Sequence, residues 1–281
     1  MCPARHSRDG KAGAAHAGLG GSLFKGRTMR DEDEELLAAA LDLGEHLLMC
    51  GGEVHRVEDT IHRICESYGA SRTDVFVIIS SIVVTMERGG QITTQTRRIS
   101  GGETDFTRLE ELNDLSRQIC GEHPPIDELR RTVAKLAGVS RGSTPLQLLG
   151  YVLASGAFTV FFGGGLLDAL CAAVCALLIR VCDRKVKPLF RSGLLYLLFC
   201  SLAAGFIAMF CGRFGLCRLP DKVMIGDIML LIPGIALTNA IRDLFMGDTI
   251  SGLLRMLEAL LQAVVIACGF ALAMMAGGGI A

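Results

Sequence analysis

The sequence predicts an α-helical integral membrane protein with an N-terminal α+β cytosolic domain, and three observations point there. Apolar residues make up 51% of the 281 positions and charged residues only 20%, with a mean hydropathy of +0.44, too apolar for an ordinary soluble protein. The charge is unevenly spread: residues 1–143 hold 18 Lys and Arg against 22 Asp and Glu, and the rest of the chain holds 10 and 7. Beyond residue 143, four stretches approach the ~20 apolar residues that span a bilayer. A net charge of −1 and a pI of 6.6 offer no basic surface, so nucleic acid is excluded as a default partner. The 11 cysteines are scattered without paired spacing, which excludes a disulfide scaffold.

Residues 1–28 contain basic residues among Gly, Ala and Ser but no apolar run able to serve as a signal-peptide core. They read as a disordered or misassigned extension, with Met29 as an alternative start of translation. The cytosolic domain is expected over 29–143. Leu36, Leu37, Ala40, Leu43, Leu47 and Leu48 recur at helical spacing up to Gly51-Gly52, and Val54, Val57, Ile61, Ile64 and Cys65 form the stripe of a second helix ending at Gly69. The β-branched runs 75–79 and 82–86 predict strands. Glu87-Arg88-Gly89-Gly90 is a turn signal, followed by Thr-rich strand character over 91–98. Helices over about 106–121 and 125–136 complete an order written ααββαα.

The membrane domain is expected over 144–281, after a linker at Gly138 to Ser143, with about five spans. Four are the stretches 145–162, 166–182, 194–211 and 253–276; the fifth, 228–241, is short and broken at Pro233-Gly234. Small residues predict packing faces at Ser201, Gly205, Ala208 and Gly212, and at Gly150, Ala154 and Ala157. Arg184, Lys185, Lys187 and Arg191 in the loop between spans two and three favour the cytoplasmic side, against a smaller set (Arg213, Arg218, Lys222) opposite. An odd number of spans then puts the C-terminus outside. Cys171, Cys175 and Cys182 read as small packing residues; Cys211 and Cys217 are the one pair whose position allows an outer-side disulfide.

The strongest chemical feature is a seam. Asp248, Ser251, Arg255, Glu258 and Gln262 are spaced three, four, three and four apart, which sets them on one stripe of the last helix. Ionisable groups in hydrocarbon cost about 2.5 to 3.5 kcal/mol on insertion scales, so the seam is expected to face a cavity or another protein surface. A simpler account keeps Asp248 and Ser251 in the interface and pairs Arg255 with Glu258. Thr238, Asn239, Arg242 and Asp243 converge from the segment after Pro233-Gly234, where a broken helix frees backbone groups of the kind that bind ions in transporters. Asp168 is either a second proton site or, as favoured, a helix-end charge.

In the head, His55, Glu58, Asp59 and His62 share one helix face, a weak metal-ligand signal outweighed by an ordinary solvated face. No metal or other cofactor is expected, and the chain has no P-loop lysine motif, Gly-x-Ser-x-Gly or dinucleotide fingerprint. It is not expected to be an enzyme. The alternative is a membrane-anchored enzyme or sensor acting through the head.

Residues 51–61, from Gly51-Gly52-Glu53 through Arg56, Glu58 and Asp59 to Ile61, resemble the head signature of the threonine/serine exporter family. Ser155-Gly156-Ala157-Phe158 through Phe162-Gly163-Gly164 resembles its first-span motif. The tail is similar to its longest motif at Pro233-Gly234, Thr238-Asn239-Ala240, Arg242-Asp243, Gly247-Asp248, Ser251-Gly252, Arg255 and Glu258-Ala259. The resemblance covers residues 34–281 and implies secondary export of small carboxylate-bearing metabolites, hydroxy amino acids or a dicarboxylate such as succinate. It also implies a second membrane half, so the expected partners are membrane lipid and a smaller integral membrane protein, with a homo-oligomer as the alternative. Arg242 or Arg255 is expected to bind substrate carboxylate and Glu258 or Asp248 to exchange a proton, in the cell membrane.

Overall fold

The structure, a computed structural model, describes residues 29–102, 104–137 and 144–278. The proposed extension 1–28, the linker 138–143 and the terminal residue Ala281 lie outside the described residues. The elements are α1 (Met29–Met49), α2 (Val54–Ser67), β1 (Arg72–Ile78), β2 (Ser81–Arg88), β3 (Gln91–Arg98), α3 (Phe106–Glu122), α4 (Ile126–Ala137), α5 (Thr144–Phe161), α6 (Leu166–Lys185), α7 (Gly193–Arg213), α8 (Pro220–Leu231), α9 (Gly234–Met246) and α10 (Thr249–Gly278). A single 3-10 turn at Lys187–Leu189 joins α6 to α7.

The head is ααβββαα, which corrects the two-strand order expected: Gln91–Arg98 pairs along its whole length with β2. Its Thr-rich, half-polar sequence is what an edge strand with one wet face requires. β2 is central, with antiparallel neighbours on both sides, and Ile82, Val84 and Met86 alternate into the core. Gly89 and Gly90 take φ of 59° and 79° and close the two-residue β2–β3 hairpin. α1 is the hub, burying Leu36, Leu37, Leu41, Leu43 and Leu47 against the sheet, α2, α3 and α4. Arg97 on β3 clamps α1 through Asp42 and Glu45.

A second apolar cluster holds α6, α7, α8 and α10 together, built from Ala172, Cys175, Ile179, Ala204, Ala208, Val223, Met224, Ile266 and Phe270, with Tyr151 of α5 packed against it. The helices alternate in direction. Ser155 meets Asp227 and Gly164 lies against Lys222, so α5 and α8 are antiparallel; Ser201 faces Gly269 and Gly205 faces Ala273, so α7 and α10 are parallel. Gly205 and Gly269 let these two backbones approach, since a Cβ there would lie 2.6 Å from Ala273 Cβ and 1.9 Å from Ser201 Oγ. The other small-residue face differs from expectation: Gly150 touches nothing and Ala157 is exposed, while Ser155 and Thr159 point inward.

By length and composition α7 and α10 can cross a membrane, and α8 with α9 makes a third candidate as one span bent by 51°. The broken stretch is longer than expected, running over 220–246, because α8 continues back through Asp227, Lys222 and Asp221 to Pro220. α5 is a shorter apolar helix. It and α6 nevertheless expose Leu146, Leu149, Leu153, Phe161, Leu166, Leu170 and Val174, an outward surface suited to lipid.

Candidate functional site

The seam faces the head of its own chain. α1 ends in a turn in which Gly51 N–H donates to Leu48 O (3.1 Å) and Gly52 N–H to Leu47 O (2.9 Å). Gly51 has φ +93°, and a Cβ on Gly52 would lie 2.7 Å from Leu47 O, so the Gly51-Gly52 pair is required by the turn itself. The turn carries its carbonyls to the bundle: Asn239 Nδ2 donates to Gly51 O (3.0 Å) and Arg255 Nη2 approaches Gly52 O (3.5 Å). Cationic and amide donors thus meet the carbonyl-rich end of α1, where its dipole favours them.

The start of α2 receives the opposite charge. The Asp243 carboxylate of α9 interacts with the backbone N–H of Val54, the first residue of α2, and lies 3.6 Å from Arg255 Nε. Both side chains of this pair are largely buried, at 2% exposed for Asp243 and 11% for Arg255. Beside them Arg242 Nη1 pairs with Glu53 Oε1 at 2.8 Å, an exposed arginine reaching a mostly buried carboxylate. Ser251 Oγ donates to Val77 O (3.3 Å), joining α10 to the tip of the β1–β2 hairpin.

Between these contacts lies a cavity of 390 Å³. Ile79, Ser80, Ile99 and Thr104 come from the head, and Ile235, Asn239, Arg255 and Glu258 from the bundle. A cation, a carboxylate, an amide and two hydroxyls therefore share an otherwise aliphatic wall. A neighbouring cleft of 280 Å³ is bordered by Glu53, Arg56, Phe106, Asn113, Asn239 and Arg242.

The remaining expected site residues divide. Asp248 occupies the turn before α10 rather than the helix, with its N–H on Asp243 O (2.9 Å). Its carboxylate acts on Glu58, whose carboxyl is pushed up first by burial and then by Asp248, against an N–H bond from Val77 (2.9 Å). Pro233 and Gly234 form the break between α8 and α9. Thr238 Oγ1 bonds back to Gly234 O (3.0 Å) on an exposed face, and Gln262 is half-buried one turn beyond Glu258. Asp59 pairs with Arg63 (2.8 Å) on the head surface. Asp168 stands at the opposite end of the bundle, accepting from the N–H groups of Gly165 (2.8 Å), Arg218 (2.6 Å) and Leu219 (3.0 Å).

The metal-ligand face of α2 is dispersed: Glu58 turns to Val77, Asp59 to Arg63 and His62 to Glu66 (3.4 Å). Among the described residues no three His, Cys, Asp or Glu side chains gather to hold an ion. Cys211 and Cys217 are both free thiols.

Asp227 is a buried acid that the sequence patterns did not single out. It is fully buried between α5 and α6, accepts from Ser155 Oγ at 2.8 Å and touches the Cys175 thiol, while its second oxygen has no hydrogen-bond partner. The available signal was an acid inside the apolar run 223–231, lost when the broken stretch was begun at Ile228.

The family described as "Putative threonine/serine exporter" matches residues 38–277. The chain is similar to a protein named threonine/serine exporter from Corynebacterium glutamicum, 25% identical over 236 residues, covering 79% of this chain and 47% of that protein. It thus spans about half the length of that relative. No solved structure matches. The family match takes in both the head turn and the bundle residues that meet it, and the chain belongs to the threonine/serine exporter family.

Proposed function

We propose that the chain is the head-bearing subunit of a secondary exporter for small hydroxy amino acids, and that the 390 Å³ cavity is where the substrate binds. The single observation that carries this is the placement of Arg255 and Glu258, one turn apart on α10, on one cavity wall with Asn239 opposite the head hydroxyls of Ser80 and Thr104. Arg255 meets the substrate carboxylate. Its fork has five N–H donors, more than Asp243 and Gly52 use. Glu258 meets the ammonium group, and Ser80, Thr104 or Asn239 the hydroxyl. A dicarboxylate would set its second anion against Glu258, which favours the amino acid.

In this proposal α5, α6, α7, the bent pair α8–α9 and α10 each cross the cell membrane, with the head and the Arg184–Arg191 loop inside and the end of α10 outside. The exposed apolar faces of α5 and α6 support the five crossings. A second, smaller membrane protein completes the exporter in this reading; the similarity to the relative covers 47% of that protein's length. The head supplies the polar partners of the seam, so the exposed Thr238 face of α9 is the surface left for that protein.

The test is efflux of labelled threonine, serine and succinate from cells holding the chain, alone and with a candidate second half. Threonine and serine efflux that falls at least tenfold in Glu258→Gln at unchanged abundance is expected. Succinate efflux without amino acid efflux overturns the assignment of substrate.

A further inference from the structure

We propose that Asp227 is a proton-binding site inside the bundle and the point at which proton movement is coupled to export. The inference rests on the exporter reading for its physiological meaning, while the binding of the proton itself does not.

The site is built by close packing. Gly226 brings α8 against α5 so tightly that a Cβ there would lie 2.1 Å from Thr159 Oγ1 and 2.6 Å from Ser155 O. That approach delivers the next residue, Asp227, to Ser155 Oγ at 2.8 Å. The groups that meet the carboxyl are Ser155 on α5 and the Cys175 thiol on α6, with Thr159 beside Gly226 one position back. Thr159 Oγ1 already donates to Ser155 O at 2.9 Å. Among the described residues no cation from α5, α6, α7 or α10 acts on it.

Among the described residues the bundle's other fully buried acids are neutralised differently: Asp243 by Arg255, and Asp168 by three backbone N–H groups. Asp227 has one hydroxyl donor, a weakly donating thiol and a second oxygen with no hydrogen-bond partner. A carboxylate so placed recovers only part of the desolvation cost of its charge, with no cation beside it. Binding one proton to the free oxygen forms an O–H bond, cancels the charge and leaves the Ser155 bond in place. A metal cation is a poorer occupant, because a hydroxyl pair, one carbonyl and a carboxylate provide too few oxygens to replace its hydration shell.

The position suits coupling. Asp227 lies six residues before Pro233 on α8, about 9 Å of helix, and across the 51° break α9 carries Asn239 of the substrate cavity. Taking up a proton from the far side and releasing it toward the head changes the charge on one half of the broken span while the other half holds the ligand. Proton and substrate thereby bias the same bent element.

The test has two arms, both on the full chain in lipid. The first is a pH titration followed by infrared difference spectroscopy in potassium and in sodium salts. A protonated-carboxyl band that titrates in the wild type, is absent in Asp227→Asn and is unaffected by sodium is expected. A wild type with no such band, or one in which sodium removes it at fixed pH, overturns the proposal. If Asp227→Asn does not accumulate, Asp227→Glu must shift the band, and an unshifted band overturns the assignment. The second arm measures transport in cells with a candidate second half. Asp227→Asn should lose proton-driven net efflux at least tenfold and keep amino acid homoexchange. Net efflux with wild-type pH dependence, or equal loss of both modes at normal abundance, overturns the coupling role. A wild type that moves no amino acid in either mode instead defeats the exporter reading and leaves the infrared result to decide the site.

Discussion

The two ends of the bundle handle charge in opposite ways. At the far end Asp168 is consumed by its surroundings, with three backbone N–H groups tying the start of α6 to the start of α8. At the head end Asp243 pairs with Arg255 and Arg242 with Glu53; Arg255 and Glu258 line the 390 Å³ cavity, and Arg242 and Glu53 the adjoining cleft. A carboxylate saturated by backbone amides is a staple with no capacity left for a ligand. Charges distributed around a cavity keep donors and acceptors available, at a cost in rigidity that the docked head offsets.

The sharpest way to break this contrast is at Arg255. Arg255→Ala leaves Asp243 buried without its cation, a loss of about 3 to 5 kcal/mol for a broken buried pair. The expected outcome is abolished efflux together with faster proteolysis of the junction, and Arg255→Lys should restore abundance more than transport, since an ammonium lacks the bidentate fork. Normal abundance and efflux in the alanine variant would mean that the head end is as inert as the far end.

Asp168→Ala sharpens the other side. Removing an anion that accepts three N–H bonds leaves buried donors unsatisfied, at about 1 to 3 kcal/mol each, so thermal stability falls clearly. Substrate affinity should not move. An affinity change in a properly folded Asp168→Ala protein would put this residue in the transport path instead.

The smallest effect lies in the head at Glu58, whose carboxyl is pushed up by burial. A raised pKa in the folded state means that the stabilising contribution is complete below the ordinary value of 4.5 and is lost as pH rises through the raised one. Glu58→Gln, which keeps an acceptor for Val77 N–H, should therefore raise the melting temperature slightly at neutral pH, with the gain vanishing on acidification. A gain that grows in acid would reverse the sign and refute the burial account.

Much of this arrangement was legible in the residues. The Leu and Val stripes of α1 and α2, the Gly51-Gly52 stop and the break at Pro233-Gly234 are local patterns, and each recurs in the structure at its place, whereas of the polar spacing 248–262 only Ser251 to Gln262 lie on α10 and Asp248 falls in the turn before it. The partner of the seam was not legible. That Arg255 meets Gly52 and Asn239 meets Gly51 depends on how a head folded from residues 29–137 docks on helices some 190 to 200 positions away, and no periodicity encodes docking. Asp227 escaped for a related reason: one acid in an apolar run gains meaning only when Gly226 and Ser155 are seen to meet. The edge strand 91–98 was visible as a strand by its threonines, yet its polarity kept it out of the counted order.

The 51° bend after α8 has a mechanical consequence. Pro233 offers no N–H to the helical ladder, so the backbone bond that would continue α8 into α9 is missing at the bend. The same α9 grips the head at Gly51 through Asn239 and at Glu53 through Arg242. A hinge on one side and a handle on the other make α9 a lever arm, and the head is its load. Any displacement of α9 about that bend carries the 51–53 turn with it or breaks the Asn239 and Arg242 contacts.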